Sequence, residues 1–296
     1  MTPVLLGLIG LALALPVPAL LATMAWPMRV PRAGIVLWQS LALAAVLAVL
    51  GAGLSTALWL VSADSPAPWR IAAHVLVLVL TVTVATRLTW SIWAVWRETR
   101  SRRRRQRHLV DLLGETDGML PALRVLREQT PIAYCVPGLV DARVVVSEGT
   151  IRALSAREYI AVLEHERAHV RRRHDLVLDG FAALHRAFPR LLRTDAPLRQ
   201  SRVMVELLAD DAARKASDEV SVAGALIALA DAPTPAGALG SGGVAQIRMA
   251  RLTQPDPRDP VASATAYAIA AVVLVAPTVL LAIPWITHAL VTLRAG

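Results

Sequence analysis

Long apolar stretches alternate with polar ones along this chain, and their lengths carry the first message. Four runs, roughly Val4 to Trp26, Ile35 to Ser62, Ile71 to Trp96 and Ala262 to Leu290, are apolar enough to be read as membrane spans. A spanning helix needs about 20 mostly apolar residues to cross ~30 Å of hydrocarbon. Trp38, Trp59, Trp69, Trp90, Trp93 and Trp96 lie near the ends of the second and third runs, where an indole keeps its ring in lipid and its N–H among headgroups. The first run could be taken for a secretory signal, but it lacks a basic start and is interrupted by Pro16 and Pro18, so it is read as a retained span.

Between the third and fourth runs the pattern changes. From about residue 100 to 260 the long apolar stretches stop, leaving a polar insert of domain size. Within it, "PIAYCVPGLVDARVVVSEG" holds two short β-favouring runs, Ile132 to Val136 and Arg143 to Ser147, and the Pro137–Gly138 connection predicts a hairpin or paired edge strands. Ser155 followed by Glu158 predicts a capping box, with a helix from Ala156 to about Arg172. A second helix is expected over Leu198 to Ser217, with Val203, Leu207 and Leu208 on its apolar face. "DAPTPAGALGSGG" and "QPDPRDP" have the composition of loops, since proline lacks the amide donor a helix needs.

Composition agrees with membrane residence: 55% of the 296 residues are hydrophobic and the formal net charge is +9. The placement of that charge orients the chain, because Lys and Arg beside a span are retained in the cytoplasm. "RETRSRRRRQRH" after the third span, with Arg29 and Arg32 between the first two, sets those segments inside and the acidic "SADSPAPW" outside. The insert is then cytoplasmic and both termini are extracytoplasmic. No aromatic residue is interleaved with the arginine run to stack bases, so nucleic-acid binding is not expected and the run is read as topogenic and lipid-facing. Arg87, inside the third span, is costly in lipid and is expected to face the bundle interior or snorkel. Cys135 is the only cysteine, which excludes an intramolecular disulfide and a cysteine-based zinc site.

The candidate chemistry lies in "VLEHERAHVRRRHD". His165 and His169 are four residues apart, so on a helix both imidazoles project from one face and can meet one ion. Glu166 flanks them, placed to exchange a proton beside an open coordination position. Catalytic zinc usually has three protein ligands. Glu206 in "ELLAD" offers the third, and Asp210, one helical turn on, can accept the outer N–H of a ligating histidine, most plausibly His165. Asp211 is an adjacent alternative of poorer spacing. His174 and Asp175, just past the motif, are candidates to support a metal ligand or meet substrate but read first as a polar helix end, and His185 reads as an interfacial side chain rather than a ligand. One Zn2+ is the expected cofactor, and the competing reading is a solvated basic helix or a metal site without activity.

With "HERAH", "ELLAD", "VPGL", "VVVSEGTIRALSAREYIAVLEHERAH" and "IRMARL", and with three spans, an insert and a fourth span, the chain resembles the BlaR/MecR family of membrane zinc peptidases over nearly its whole length. That resemblance implies a mainly α membrane protein: three spans within 1–99, a cytoplasmic zincin-like α+β metallopeptidase domain over 100–260, and a fourth span with a short tail over 261–296. It implies zinc ligation by His165, His169 and Glu206, catalysis by Glu166 and support from Asp210. The strand around Val144, Val145 and Val146 is expected to be the edge that aligns an extended substrate. The expected activity is hydrolysis of a cytoplasmic regulatory protein, such as a repressor of the BlaI/MecI kind, in antirepressor-type signalling. The extracellular penicillin-binding sensor of that family is expected to be absent, so the stimulus would come through the outer loops, the spans or a separate sensor protein. The alternatives are a housekeeping quality-control or CAAX-type peptidase, and a non-catalytic transducer with a structural zinc.

Overall fold

Proline punctuates the apolar helices of this protein. The structure, a computed structural model, describes residues 2–62, 67–116, 118, 120–138, 141–188, 194–230, 242–254 and 259–295. In chain order the first elements are α1 (Thr2–Ala14), α2 (Pro16–Thr23), α3 (Trp26–Arg29), α4 (Pro31–Ser62) and α5 (Pro68–Leu113). Then come β1 (Gly114–Thr116), β2 (Leu123–Leu126), β3 (Ala133–Val136), β4 (Arg143–Ser147), α6 (Glu148–Ala153), α7 (Ala156–Arg171) and α8 (His174–Ala187). The remainder is α9 (Ala196–Ala216), α10 (Glu219–Ala228), α11 (Gly242–Leu252) and α12 (Pro260–Ala295). Helices α2, α4, α5 and α12 each begin on a proline, whose missing N–H is one the first helical turn leaves unpaired anyway. The first apolar run, expected as one helix, breaks at Leu15 because Pro16 cannot donate into the preceding turn.

The apolar helices form one unit, Met1–Ala94 and Asp259–Gly296, together with Ala182–Leu198. Four stretches in it or leading from it, Pro3–Thr23, Pro31–Thr56, Pro68–Leu113 and Pro260–Ile283, are long and apolar enough to cross a membrane. Helix α4 packs against α1 and α12. It comes so close to α5 that a Cβ on Gly53 would lie 2.3 Å from the Thr81 side chain, which makes glycine a packing requirement there. Val30, Ala33 and Ala266 close a small core at the α4 and α12 ends. Arg87 Nε donates to the Ala187 carbonyl at 2.9 Å, and Ser91 Oγ donates to the Ala183 carbonyl at 2.7 Å. These bonds account for the clustering of Ala182–Leu198 with the apolar helices, in a stretch the sequence assigned to the polar insert.

The second unit, Val95–Phe181 and Arg199–Arg258, contains a four-stranded sheet in the order β1-β2-β4-β3. Strand β2 runs parallel to β4, and β1 and β3 are antiparallel to their neighbours. The β3–β4 pairing is the one the sequence predicted, with Tyr134 opposite Val145 and Cys135 opposite Val144. Strands β1 and β2 are additions, and they change the place of β4. Val144, Val145 and Val146 are not an edge: β4 lies between β2 and β3, its backbone engaged on both sides. Val144 and Val146 pack with Leu123 and Leu163 of α7, while Val145 packs with Val110 and Val136 on the other face. A strand covered on both faces needs three apolar residues in succession, which is why the run is Val-Val-Val. The edge is β3. Asp111 holds the sheet to the end of α5, accepting from Arg124 Nε on β2 and Arg143 Nε on β4 at 2.9 Å each.

Helix α7 starts as expected. The Ser155 side chain accepts from the Glu158 backbone, and the Glu158 carboxylate accepts from the Ser155 N–H at 2.8 Å. Ala161, Val162, Leu163 and Ala168 are buried along it. Ala161 packs with Ala213 of α9, Val222 of α10 and Leu252 of α11, so these helices are joined around one core. The chain leaves α7 through Arg173, the one non-glycine residue with positive φ among the described residues, at 52°. The loops expected at residues 231–243 and 254–260 fall largely on residues outside those described.

The Ser155 backbone N–H holds Glu158 below its ordinary carboxylate pKa of 4.5. A depressed folded-state value contributes stability above pH 4.5 that is lost as pH falls through the folded value. Glu158→Gln should therefore lower the denaturation midpoint at pH 7, and its deficit against the native protein should shrink as pH falls below 4.5, a comparison that thermal unfolding in detergent will read.

Candidate metal centre

The one-turn spacing of His165 and His169 on α7 brings their Nε2 atoms within 3.2 Å of each other. Helix α9 supplies the third group. Glu206 Oε2 is 3.4 Å from His165 Nε2, and Oε1 is 3.5 Å from His169 Nε2. These three side chains form a cluster able to hold a metal ion. Ligands at about 2.0–2.1 Å from a tetrahedral zinc lie about 3.3 Å from one another. The pairwise distances are close to that value, with His165 facing one Glu206 oxygen and His169 the other, so a small rotation of the carboxylate would bring one oxygen to an ion shared by both rings.

Each histidine is held from behind. His165 Nδ1 donates to Asp210 Oδ1 at 2.9 Å, which turns Nε2 toward Glu206. Asp210 in turn accepts two bonds from Arg248 of α11, Nε to Oδ2 and Nη2 to Oδ1, both 2.8 Å. Arg248 Nη1 also lies 3.3 Å from Glu206 Oε2. Asp211, the alternative to Asp210, points elsewhere and accepts from Arg251 Nη2 at 3.1 Å. His169 Nδ1 is 3.1 Å from Nδ1 of His174, which is 3% exposed and so is not the solvated helix end the sequence suggested. His185 lies on α8, outside this cluster.

The electrostatics follow from burying these charges together. Burial opposes a proton on His165, but hydrogen bonds to Asp210 and Glu206 outweigh it and push the pKa up to about 10. Burial pulls His169 down to about 3. Without an ion the second ring proton is thus favoured on His165 and disfavoured on His169, and a metal taking His165 Nε2 displaces it. Burial works against charge on Glu206 and Asp210 too, yet the bonds to His165 hold both below the ordinary carboxylate range. Glu166 is different: burial, with the Glu206 charge nearby, raises its pKa and readies it to carry a proton. Cys135 of β3 hydrogen-bonds to Glu166, and burial pushes the thiol well above its usual value, so it is a neutral donor.

Five of the predicted residues, His165, Glu166, His169, Glu206 and Asp210, therefore converge, while Val144, Val145 and Val146 lie inside the sheet. Arg248 and Cys135 are additions, and His174, read first as a helix end, joins the site behind His169. Arg248 had a sequence signal in the pair Arg248 and Arg251, spaced to meet the adjacent acids Asp210 and Asp211 on one face of α9.

Two histidines on α7, a glutamate from α9 and a proton-carrying carboxylate beside them define a metal-dependent hydrolase site. Residues 97–227 match the model of Peptidase family M48, and the domain they form makes this chain a metalloprotease, an enzyme that hydrolyses peptide bonds. The match does not name the BlaR/MecR family. No curated protein and no solved structure matches the chain.

Removing Arg248 leaves the two buried carboxylates with His165 alone of the two cations that compensate them, at a cost of about 3 kcal/mol. Arg248→Leu should show that loss in denaturant unfolding of the metal-free protein. Combining it with Asp210→Asn should cost less than the sum of the single changes by about 1 kcal/mol or more, as expected for groups in one network.

Proposed function

We propose that this protein is an integral-membrane zinc endopeptidase whose active site faces the cytoplasm and cuts a regulatory protein there. The observation that carries this reading is the triangle of His165, His169 and Glu206, with side-to-side distances of 3.2 to 3.5 Å, and Glu166 adjoining it. Two imidazoles and one carboxylate leaving a position open are the donor set of catalytic zinc. The arginine run after Trp96 supports the cytoplasmic side, with four spans placing both termini outside. The regulatory substrate rests on the three-plus-one arrangement of apolar helices shared with BlaR/MecR transducers. A second reading with the same site is a housekeeping peptidase of the quality-control or CAAX-processing kind, with which a match to Peptidase family M48 is equally compatible.

A bound zinc supplies polarisation of the scissile carbonyl and lowers the pKa of water to roughly 7. The protein's own residues do the rest. Glu166 takes the proton of the attacking water and passes it to the departing amine, a task suited to a carboxyl whose pKa is raised by burial. Asp210 fixes the tautomer of His165, and Arg248 keeps Asp210 ionised while it does so. An extended substrate pairs with the free edge of β3, the strand that carries Cys135 against Glu166, rather than with β4.

Glu166→Gln keeps the size and polarity of the side chain and removes its proton exchange. Purified in detergent, this variant should still bind one zinc and should lose cleavage of an unstructured protein substrate by about 10²-fold or more. Equal cleavage by both forms, with zinc bound, would sink the reading.

A further inference from the structure

His174 is the buried titratable group that the function has not absorbed. It is the first residue of α8, 3% exposed, and it reaches the site only because Arg173 takes φ 52° and folds α8 back on α7. Arg173 is held in that turn by its Nη1, which donates to the Gly138 carbonyl at 2.8 Å. The start of α8 is pinned as well: Asp175 and Asp179 accept from Arg103 of α5 at 3.1 and 2.8 Å. Two anchors thus fix a single imidazole, whose ring stands edge-on to His169 with centroids 4.8 Å apart.

The donor and acceptor roles follow from the metal site. If His169 offers Nε2 to the ion, its Nδ1 carries the proton and donates to His174 Nδ1 at 3.1 Å. His174 is then a neutral acceptor with its own proton on Nε2, a buried atom that bonds no other described residue. Its polar contact is therefore with His169. We propose that His174 is a positioning residue for the metal centre: it fixes the tautomer and ring plane of His169, as Asp210 does for His165. The inference rests on the proposed ligation by His169. It also distinguishes the two ligands, since His165 is backed by a carboxylate and His169 by a neutral ring, so His169 is the weaker donor and depends more on its ring being held in place.

The experiment is metal affinity, read by competition of the detergent-solubilised full chain with a chromophoric zinc chelator, with the Co2+ spectrum as a second readout. His174→Leu removes the acceptor and should weaken zinc about 10- to 100-fold and alter the Co2+ bands. His174→Asn presents an acceptor oxygen near the position of Nδ1 and should recover most of that loss. Native affinity in His174→Leu, with unchanged Co2+ bands, overturns the proposal. His169→Ala separates the proposal from its basis: if His169→Ala also binds zinc as the native protein does, the ligand assignment itself is wrong. The native Co2+ protein gives a test that no folding defect can obscure. The His169 ring N–H should appear as a shifted resonance that exchanges slowly with solvent, and rapid exchange counts against His174.

Discussion

Everything in the polar unit is arranged around the cost of burying Glu206 and Asp210 on one helix. Two carboxylates a turn apart repel, and neither can stay ionised in a low-dielectric interior without compensation. The protein compensates with cations from two directions, His165 from α7 and Arg248 from α11. That requirement explains why α7, α9 and α11 share a core through Ala161, Ala213 and Leu252, residues mostly small enough to let the helices approach. A divalent ion entering the triangle takes over part of the compensation, which couples the ion to the packing of three helices.

Much of the site was legible because its chemistry is written in short-range spacing. His165 and His169 are one turn apart, Glu206 and Asp210 another, and the capping box that starts α7 is three residues long. Each is a statement about one helix, and helical periodicity is the most regular signal a sequence holds. The residues that escaped depend on turns and on helices meeting. His174 acquires its role from the backbone of Arg173, and a positive φ at an arginine has no compositional signature. Arg248 lies beyond a loop whose length conceals where α11 returns.

The sheet illustrates a different limit. Pairing of β3 with β4 followed from two adjacent β-favouring runs, but strand order depends on β1 and β2, which are three and four residues long and carry little pattern. Taking β4 for an edge neglected its own composition. Three successive buried valines signal cover on both faces, whereas an edge strand beside a substrate cleft is only partly buried, as β3 is. The fold of the apolar unit was legible in outline from length and hydropathy, and proline marks where α2, α4, α5 and α12 start.

The position of β3 has a consequence for the company this protein keeps. An open strand edge that accepts an extended peptide also accepts the same edge of another copy, and such pairing is a route to aggregation. Confinement to a membrane would make encounters between copies frequent. β3 is four residues long, enough to align the residues flanking one scissile bond and too short to sustain a continuous sheet between molecules. Brevity at this edge is thus a safeguard against association between copies.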